Sequence, residues 1–284
     1  MTRPHVFTAA IALLMAGSLA CTTATQLLGL KTDGGTAPGE AEAQATEVIP
    51  TLDTAMGVEP TAAPVERLEL HATPTAFHVT SEDDPRAILD LADPDYLDYF
   101  DVPEKWFDYD TPNRAAYGVA ESKLWGLDYE PDELYSWWSY TDKQTDLVYA
   151  EVSATNGDCV GKDAVGFVIH SSPQTAAGGY ALEVSCDGEW RFLKHRVGKM
   201  PQEVVEWTAS DAIQTGKDAT NRLGIWDHLG KLYFFVNGVM VGESYDSPHQ
   251  YPGGAFALYV KAAQTYNLKA WFDDLASWEL PYDV

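Results

Sequence analysis

The segment from Cys159 to Glu243 constrains the fold most, because its apolar residues recur at every second position. Each apolar run ends at Gly, Asn, Asp or Ser, and this period-two pattern is typical of β-strands with one buried face. The residues that the alternation places on the buried face are Val165, Phe167, Ile169, Tyr180, Leu182, Val184, Leu232, Phe234 and Val236. The segment therefore predicts a run of antiparallel strands over one core.

A turn signal near the end of this segment supports antiparallel pairing. Asn237-Gly238 separates two apolar runs, and both residues tolerate the positive φ angles that a two-residue hairpin requires. In such a hairpin Val236 pairs with Val239. At the next position on the buried face, Phe234 is expected to pair with Val241.

Earlier parts of the chain predict the first strands and a short helix. Apolar and aromatic runs place the strands within Tyr96–Trp106, Ala115–Trp125, Leu134–Tyr140 and Leu147–Ala154. Before them, Asp84 and Pro85 suit the N-cap and the first residue of a helix. They predict two or three helical turns, up to Leu91, that lead into the strands.

A set of further features completes the pattern of the second half of the chain. They are Cys159, the GFVIHSS strand, GGYALEVSCDGEWRF around Cys186, the turn from Trp207-Thr208 to Ala212-Ile213, Asn221-Arg222-Leu223, Leu232 to Val236 with Asn237-Gly238, and AWFDDLASWEL from Ala270 to Leu280. Together these residues resemble the concanavalin A-like lectin/glucanase superfamily, and in particular uncharacterised bacterial surface lipoproteins within it. The resemblance implies an all-β fold, a concanavalin A-like antiparallel β-sandwich (jelly roll), over residues 96–284. Members of the superfamily include lectins, laminin G-like modules and family 16 glucanases, so the resemblance implies an architecture before an activity.

The N-terminus has the features of an export signal. Arg3 precedes the apolar run Ala9–Ala16, which is too short to span a bilayer. Ser18-Leu19-Ala20 then forms a cleavage site, so we expect a signal peptide over residues 1–20 and an extracytoplasmic protein. Two outcomes stay open: lipidation of Cys21, as in bacterial lipoproteins anchored to the membrane, or plain secretion.

The segment after the signal is expected to be a flexible tether over residues 21–80. Pro, Thr, Ala, Gly and Glu dominate it, and it has too few large apolar residues to bury a core. Residues 81–95 are then the lead-in to the sandwich domain.

The chain has three cysteines, and an exported chain allows two of them to form a disulfide. Cys159 and Cys186 flank strands that are expected to be antiparallel neighbours, so the two residues should lie close together. Their pairing leaves Cys21 available for lipid.

The charge of the chain limits its partners. The formal net charge is −25, from 43 acidic and 18 basic residues. Such a surface repels nucleic acid and anionic lipid headgroups, so membrane contact is expected through the lipid anchor alone. No cofactor is predicted, although calcium is a candidate ion because Asp93, Asp95, Asp98 and Asp101 follow one another closely. The more ordinary alternative is that these acids are solvated loop residues.

Linear catalytic motifs are missing. Glucanases of this superfamily carry Glu-x-Asp-x-Glu or Glu-x-Asp-x-x-Glu on one strand, so that a nucleophile and an acid face one cleft. The nearest approaches here are Glu82-Asp83-Asp84, before the sandwich, and Glu130-Pro131-Asp132-Glu133, which proline interrupts. Gly-x-Ser-x-Gly, His-Glu-x-x-His and Cys-x-x-Cys are also absent. The sequence thus disfavours an enzyme, although carboxylates from different strands can converge without a linear motif.

A charged set of candidate binding residues lies opposite the predicted core. Alternation points His170 and Glu183 outward, and Arg191 and His195 share that side on the next strand. Glu183 would then lie between histidines and an arginine. The alternative is an ordinary solvated sheet face.

A second set of candidates is aromatic. Tyr233 and Phe235 occupy the face of the hairpin opposite the core, and of the adjacent Trp137 and Trp138 one must leave the inner layer. Exposed aromatic rings hold sugar rings in lectins, whereas a second packing layer under a loop is the commoner explanation.

Two function classes follow from these observations. The leading one is a non-catalytic, extracytoplasmic binding module on a surface lipoprotein, for a glycan or another extracellular polymer. The alternative is a glycoside hydrolase or related sugar-cleaving enzyme with a non-standard carboxylate pair. A cleft that holds two carboxylates at catalytic distance, or an aromatic strip without them, distinguishes the two.

Overall fold

The computed structural model describes residues 81, 83–131, 136, 138–172 and 177–283. The predicted signal peptide, the lipidation site Cys21, the tether over 21–80 and Trp137 lie outside these residues and stay predictions. Within the described residues, no helix is long and apolar enough to cross a membrane.

The described residues form two single-turn 3₁₀ helices and fifteen strands. The helices are Pro85–Ile88 and Pro103–Lys105. The strands are β1 (Tyr96–Asp98), β2 (Tyr109–Thr111), β3 (Ala115–Ala120), β4 (Lys123–Asp128), β5 (Trp138–Thr145), β6 (Val148–Asn156), β7 (Ala164–Ser171), β8 (Gly179–Ser185), β9 (Glu189–His195), β10 (Gln202–Ala209), β11 (Thr220–His228), β12 (Lys231–Val236), β13 (Val239–Tyr245), β14 (Gly254–Lys261) and β15 (Leu268–Glu279).

These strands form two antiparallel sheets. The nine-stranded sheet has the order β13-β12-β11-β6-β15-β4-β3-β2, with β1 also paired to β15. The six-stranded sheet has the order β10-β9-β8-β7-β14-β5. One core of residues from both sheets fills the space between them. The predicted all-β antiparallel sandwich is therefore confirmed.

The core contains the residues that alternation predicted. All nine inward residues of β7, β8 and β12 belong to it, each with at most 2% of its surface exposed. Contact between the sheets is direct, since the rings of Phe192 and Phe234 have centroids 4.6 Å apart. The outer face of each sheet is the one that points away from this core.

The disulfide between Cys159 and Cys186 is present, with Cα atoms 5.9 Å apart. It joins the loop before β7 to the residue after β8, and these strands are antiparallel neighbours as predicted. The crosslink therefore fixes one end of the six-stranded sheet.

The hairpin at Asn237-Gly238 is confirmed, but its register differs from the prediction. Asn237 and Gly238 both have positive φ, and Val236 pairs with Val239. A bulge follows, so that Phe234 pairs with Gly242 rather than with Val241. The ring of Trp190 packs directly on residue 242, because a Cβ atom there would lie 2.3 Å from it, so this position requires glycine.

The segments before β5 contain less regular structure than predicted. The helix that begins at Pro85 ends at Ile88 after one turn. Within Tyr96–Trp106 the chain forms only β1 and a 3₁₀ turn, and Ala115–Trp125 is divided into two strands by a turn at Glu121-Ser122. Both residues of that turn have positive φ. Turns of this kind consist of polar residues and do not change the spacing of the apolar residues around them. The apolar pattern of the sequence therefore did not reveal them.

A second hydrophobic layer covers the outer face of the nine-stranded sheet. Its buried members are Leu147, Tyr149, Trp226, Phe235, Ala276, Trp278 and Leu280. Leu89 and Leu91 of the lead-in segment and Leu97 of β1 pack against them. The guanidinium of Arg86 anchors this segment, since it lies 3.9 Å from the ring centroid of Phe235 and donates to the carbonyl of Gly238 at 2.7 Å. The lead-in is thus part of the folded domain.

Candidate functional site

Five residues form a row across the outer face of the six-stranded sheet. In register, from β9 to β5, they are Arg191, Glu183, Gly166, Tyr259 and Trp138. Each comes from a different strand, and alternation points the side chains of the four residues other than Gly166 away from the core. This row brings together three of the predicted candidates.

Gly166 allows two members of the row to meet across β7. A Cβ atom on residue 166 would lie 2.1 Å from Cζ of Tyr259, so the tyrosine ring lies over the glycine. The Tyr259 hydroxyl then donates to Oε1 of Glu183 at 2.6 Å. Burial, followed by the nearby Glu183 charge, raises the pKa of this hydroxyl well above its usual value, so it remains a donor.

The carboxylate of Glu183 is fully occupied by the protein. Its side chain is 0% exposed, and its second oxygen accepts a short hydrogen bond from Nε of Arg191. Nη1 of Arg191 also binds Glu203 at 3.0 Å, and the Trp207 ring stacks on the guanidinium at 4.4 Å. Glu183 therefore anchors the face of the sheet and is closed to a ligand in this conformation.

His195 lies beside the row and contacts Trp138. The two rings meet edge to face at 4.9 Å, and His195 is 5% exposed. Burial lowers the pKa of its imidazole to about 4, with Lys261 and Arg191 acting in the same direction and Glu183 opposing them. The ring is thus neutral at pH 7. Its Nε2 atom has no hydrogen-bond partner in the described part of the chain.

A cleft of about 530 Å³ opens next to these two rings. Its walls include Ser136, Trp138, His195, Arg196, Lys199 and Met200. Trp138 is itself only 8% exposed, because it packs in a buried cluster with Tyr259 and Tyr117. The cleft therefore combines the edge of a largely buried aromatic residue with several hydrogen-bond donors, which suits a small polar ligand.

Two further aromatic residues continue the surface from Trp138 along β5. Tyr140 is the next outward residue of this strand, and its ring stacks on Phe107 at 5.1 Å with 19° between the planes. Phe107 is 49% exposed. Neither residue was among the candidates predicted from the sequence. The alternation of Trp138 with Tyr140 could have identified Tyr140, whereas Phe107 lies in an irregular segment without a pattern.

The predicted position of His170 is wrong. Its φ of +59° places a bulge at this point of β7, which turns the side chain away from Glu183. Nε2 of His170 instead lies 3.0 Å from Oδ2 of Asp227, and His249 lies 2.9 Å from the same oxygen. His170 is 1% exposed and belongs to this buried cluster between the sheets.

Tyr233 and Phe235 do lie opposite the core, as predicted, but on the outer face of the other sheet. Phe235 is 1% exposed beneath Arg86, so the prediction of an exposed platform is wrong for this residue. Tyr233 is half-buried against the same second layer, with Nζ of Lys231 5.0 Å from its ring centroid. Neither ring can join the cleft, because the cleft lies on the six-stranded sheet. The lead-in segment covers the face that carries Tyr233 and Phe235.

Two of the four acids considered for calcium have separate hydrogen-bond partners. Asp98 is buried and accepts hydrogen bonds from the Tyr96 hydroxyl, the Phe100 amide and the Trp106 indole. Asp95 instead accepts from the Glu279 amide at 2.7 Å. Among the described residues, no group of three or more His, Cys, Asp or Glu side chains is arranged to hold a metal ion.

No protein-family model and no curated protein matches the chain. Solved structures do match it. The carbohydrate binding module CBM66 from Bacillus subtilis is 16% identical, with a TM-score of 0.43 over 62% of this chain and 96% of that chain. A Bacillus subtilis protein of unknown function with a galectin-like fold is 11% identical, with a TM-score of 0.47 over 66% of this chain and 96% of that chain. The catalytic domain of an endo-1,3-β-glucanase (laminarinase) from Thermotoga petrophila is 12% identical, with a TM-score of 0.44 over 66% of this chain and 97% of that chain. At these identities the likeness concerns the fold alone.

Proposed function

We propose that this chain is a non-catalytic binding module for a glycan or a similar extracellular polymer, exported and anchored to the membrane through Cys21. The observation that carries the proposal is the cleft beside Trp138 and His195 on the outer face of the six-stranded sheet. An aromatic wall next to unpaired polar groups suits a sugar, whose ring has an apolar face and a polar rim.

The aromatic strip on β5 supplies a surface for more than one sugar unit. Trp138 borders the cleft, and the stacked pair Tyr140 and Phe107 continues from it towards solvent. A polymer chain that enters the cleft would pass over these rings. The predicted tether over residues 21–80 gives the domain reach from the membrane to such a polymer.

Binding is favoured over catalysis by the state of Glu183. A retaining glycosidase needs two carboxyl groups about 5 to 5.5 Å apart with access to the substrate. Both oxygens of Glu183 are occupied, and its side chain is fully buried. An acid in this position cannot reach a sugar without breaking the ion pair with Arg191.

One observation favours the alternative function, a sugar-cleaving enzyme. Arg191 binds Glu183 through Nε and Glu203 through Nη1, so one guanidinium holds two carboxylates on the same face. The Glu203 side chain is 39% exposed. Movement of Arg191 would leave these two acids as a candidate catalytic pair.

A glycan array tests the proposal with the whole chain carrying Cys21→Ser, run with and without calcium. We expect binding that Trp138→Ala weakens by about 1 to 3 kcal/mol, the range for removing a large apolar contact. Tyr282→Ala is the matched control, because Tyr282 is 71% exposed and does not border this cleft. Absence of binding to any glycan contradicts the proposal. Release of reducing sugar that Glu183→Gln abolishes supports the enzyme instead.

A further inference from the structure

Three buried polar atoms without partners belong to residues that line this one cleft. They are Oγ of Ser136, Nε2 of His195 and Nε of Arg196, none of which has a hydrogen-bond partner in the described part of the chain. Buried polar groups in folded proteins are nearly always hydrogen-bonded. Three exceptions around one opening indicate a partner that comes from outside the chain.

Two cations of the cleft are also unpaired. Among the described arginine and lysine residues, Arg196 and Lys199 form no ion pair, side-chain hydrogen bond or cation-π contact. Arg196 does interact electrostatically with Tyr251. Acidic residues outnumber basic ones by 43 to 18 in this chain, so a cation that forms no ion pair is unusual here. The two lie three residues apart, in the turn after β9, and both line the cleft.

The charged residues that line the cleft are all positive. Among its described lining residues there is no aspartate or glutamate. The guanidinium of Arg196 is always charged and offers a planar pair of donors, which matches the two oxygens of a carboxylate or the oxygens of a sulfate. The ammonium of Lys199 adds a second positive charge. On a chain of net charge −25, this cleft is a local exception that attracts an anion.

We propose that the cleft binds an acidic saccharide, with a carboxylate or sulfate group of the sugar paired to Arg196 and Lys199 and the sugar ring packed against Trp138. This inference rests on the proposed function and names its ligand class. His195 contributes to the site as a neutral hydrogen-bonding group, because burial lowers its pKa to about 4. Nε2 of His195 is therefore suited to a sugar hydroxyl, while the charge of the site comes from the other two residues.

The test compares each acidic probe with its own neutral form by calorimetry, on the whole chain carrying Cys21→Ser. The carboxylate arm uses an oligogalacturonate and its methyl ester. The sulfate arm uses a sulfated galactan oligosaccharide and its desulfated form. We expect at least one acidic probe to bind about 10- to 100-fold more tightly than its neutral counterpart, the range for a hydrogen bond to a charged group. The arm that shows the preference identifies the anionic group.

A variant assigns the preference to the two cations. Arg196→Gln/Lys199→Gln should abolish the difference between acidic and neutral probes. Lys217→Gln removes a charge at an exposed pair with Asp158 outside the cleft and should leave the preference intact. The comparison of probes needs no variant, so it stands even if the double substitution fails to fold.

The outcomes separate this inference from the proposed function. Equal affinity for acidic and neutral probes, with binding that depends on Trp138, overturns the inference and leaves the proposed function standing. A preference that survives the double substitution in a folded protein overturns it as well. Absence of binding to every saccharide overturns both.

Discussion

The row across the six-stranded sheet predicts that replacing Gly166 by alanine destabilises the protein through one neighbour. A Cβ atom at residue 166 would lie 2.1 Å from Cζ of Tyr259, far inside van der Waals contact. Tyr259 is fully buried, and its hydroxyl is fixed to Glu183 at 2.6 Å. The ring must therefore move, and its hydroxyl must leave the carboxylate.

The magnitude follows from three contributions. Overpacking a core position costs about 1 to 3 kcal/mol. Losing a hydrogen bond to a charged group costs about 1.5 to 3 kcal/mol. Alanine is favoured over glycine inside a strand by about 0.5 to 1 kcal/mol, which opposes these costs. Gly166→Ala should thus lower the free energy of unfolding by roughly 2 to 5 kcal/mol.

Urea denaturation measures the change, and a second background isolates its cause. In a chain that already carries Tyr259→Ala the clash is absent, so Gly166→Ala should stabilise by about 0.5 to 1 kcal/mol. Tyr259→Phe keeps the ring and removes the hydroxyl, and it should cost about 1.5 to 3 kcal/mol alone. A neutral Gly166→Ala variant, or an equal cost in both backgrounds, would refute the geometry of the row.

Three more predictions concern stability and processing. Removing the disulfide with Cys159→Ala/Cys186→Ala should destabilise by about 3 to 4 kcal/mol in the chain-entropy model, since the cysteines are 27 residues apart; an unchanged urea midpoint would contradict this. The pKa of His195, about 4 in the folded state against 6.5 in the unfolded state, means that the unfolded chain takes up the proton first. Titration of His195 should therefore lower the free energy of unfolding by about 3 kcal/mol as the pH falls from 6.5 to 4. The His195→Phe variant should lose less of its free energy of unfolding over that pH range than the unaltered chain. Mass spectrometry of the mature N-terminus should find lipid on Cys21, and an unmodified cysteine or a start elsewhere would disprove the anchor.

The parts of the fold that the sequence predicted depend on local patterns. The alternation in β7, β8 and β12 is a property of successive residues, so the inward side chains could be assigned before any strand was placed. Asn237-Gly238 specifies its turn by the φ angles that these two residues tolerate. The disulfide followed from the adjacency of β7 and β8, which that alternation implied.

The errors arise where distant parts of the chain decide the outcome. Phe235 points away from the core as its position predicts, but Arg86, which precedes it by 149 positions, covers it. His170 continues an apolar alternation, yet a bulge turns it towards Asp227. Neither effect has a counterpart in the residues next to the affected position. A period-two pattern therefore predicts on which face of the sheet a side chain lies. It does not predict which other residues cover that face.

The candidate site shows the same limit more strongly, because its key properties are relations between strands. Gly166 is an ordinary glycine in sequence, and it becomes necessary only when β14 places Tyr259 beside it. In the sequence, nothing distinguishes Arg196 and Lys199 from the other basic residues, of which the chain has 18 in all. What distinguishes them is that they form no ion pair within the described structure, and that is a property of three-dimensional placement. Cations without ion pairs and a single aromatic residue have no characteristic spacing in the sequence, so no sequence motif identifies this site. Its ligand class therefore has to be inferred from the charge of the cleft.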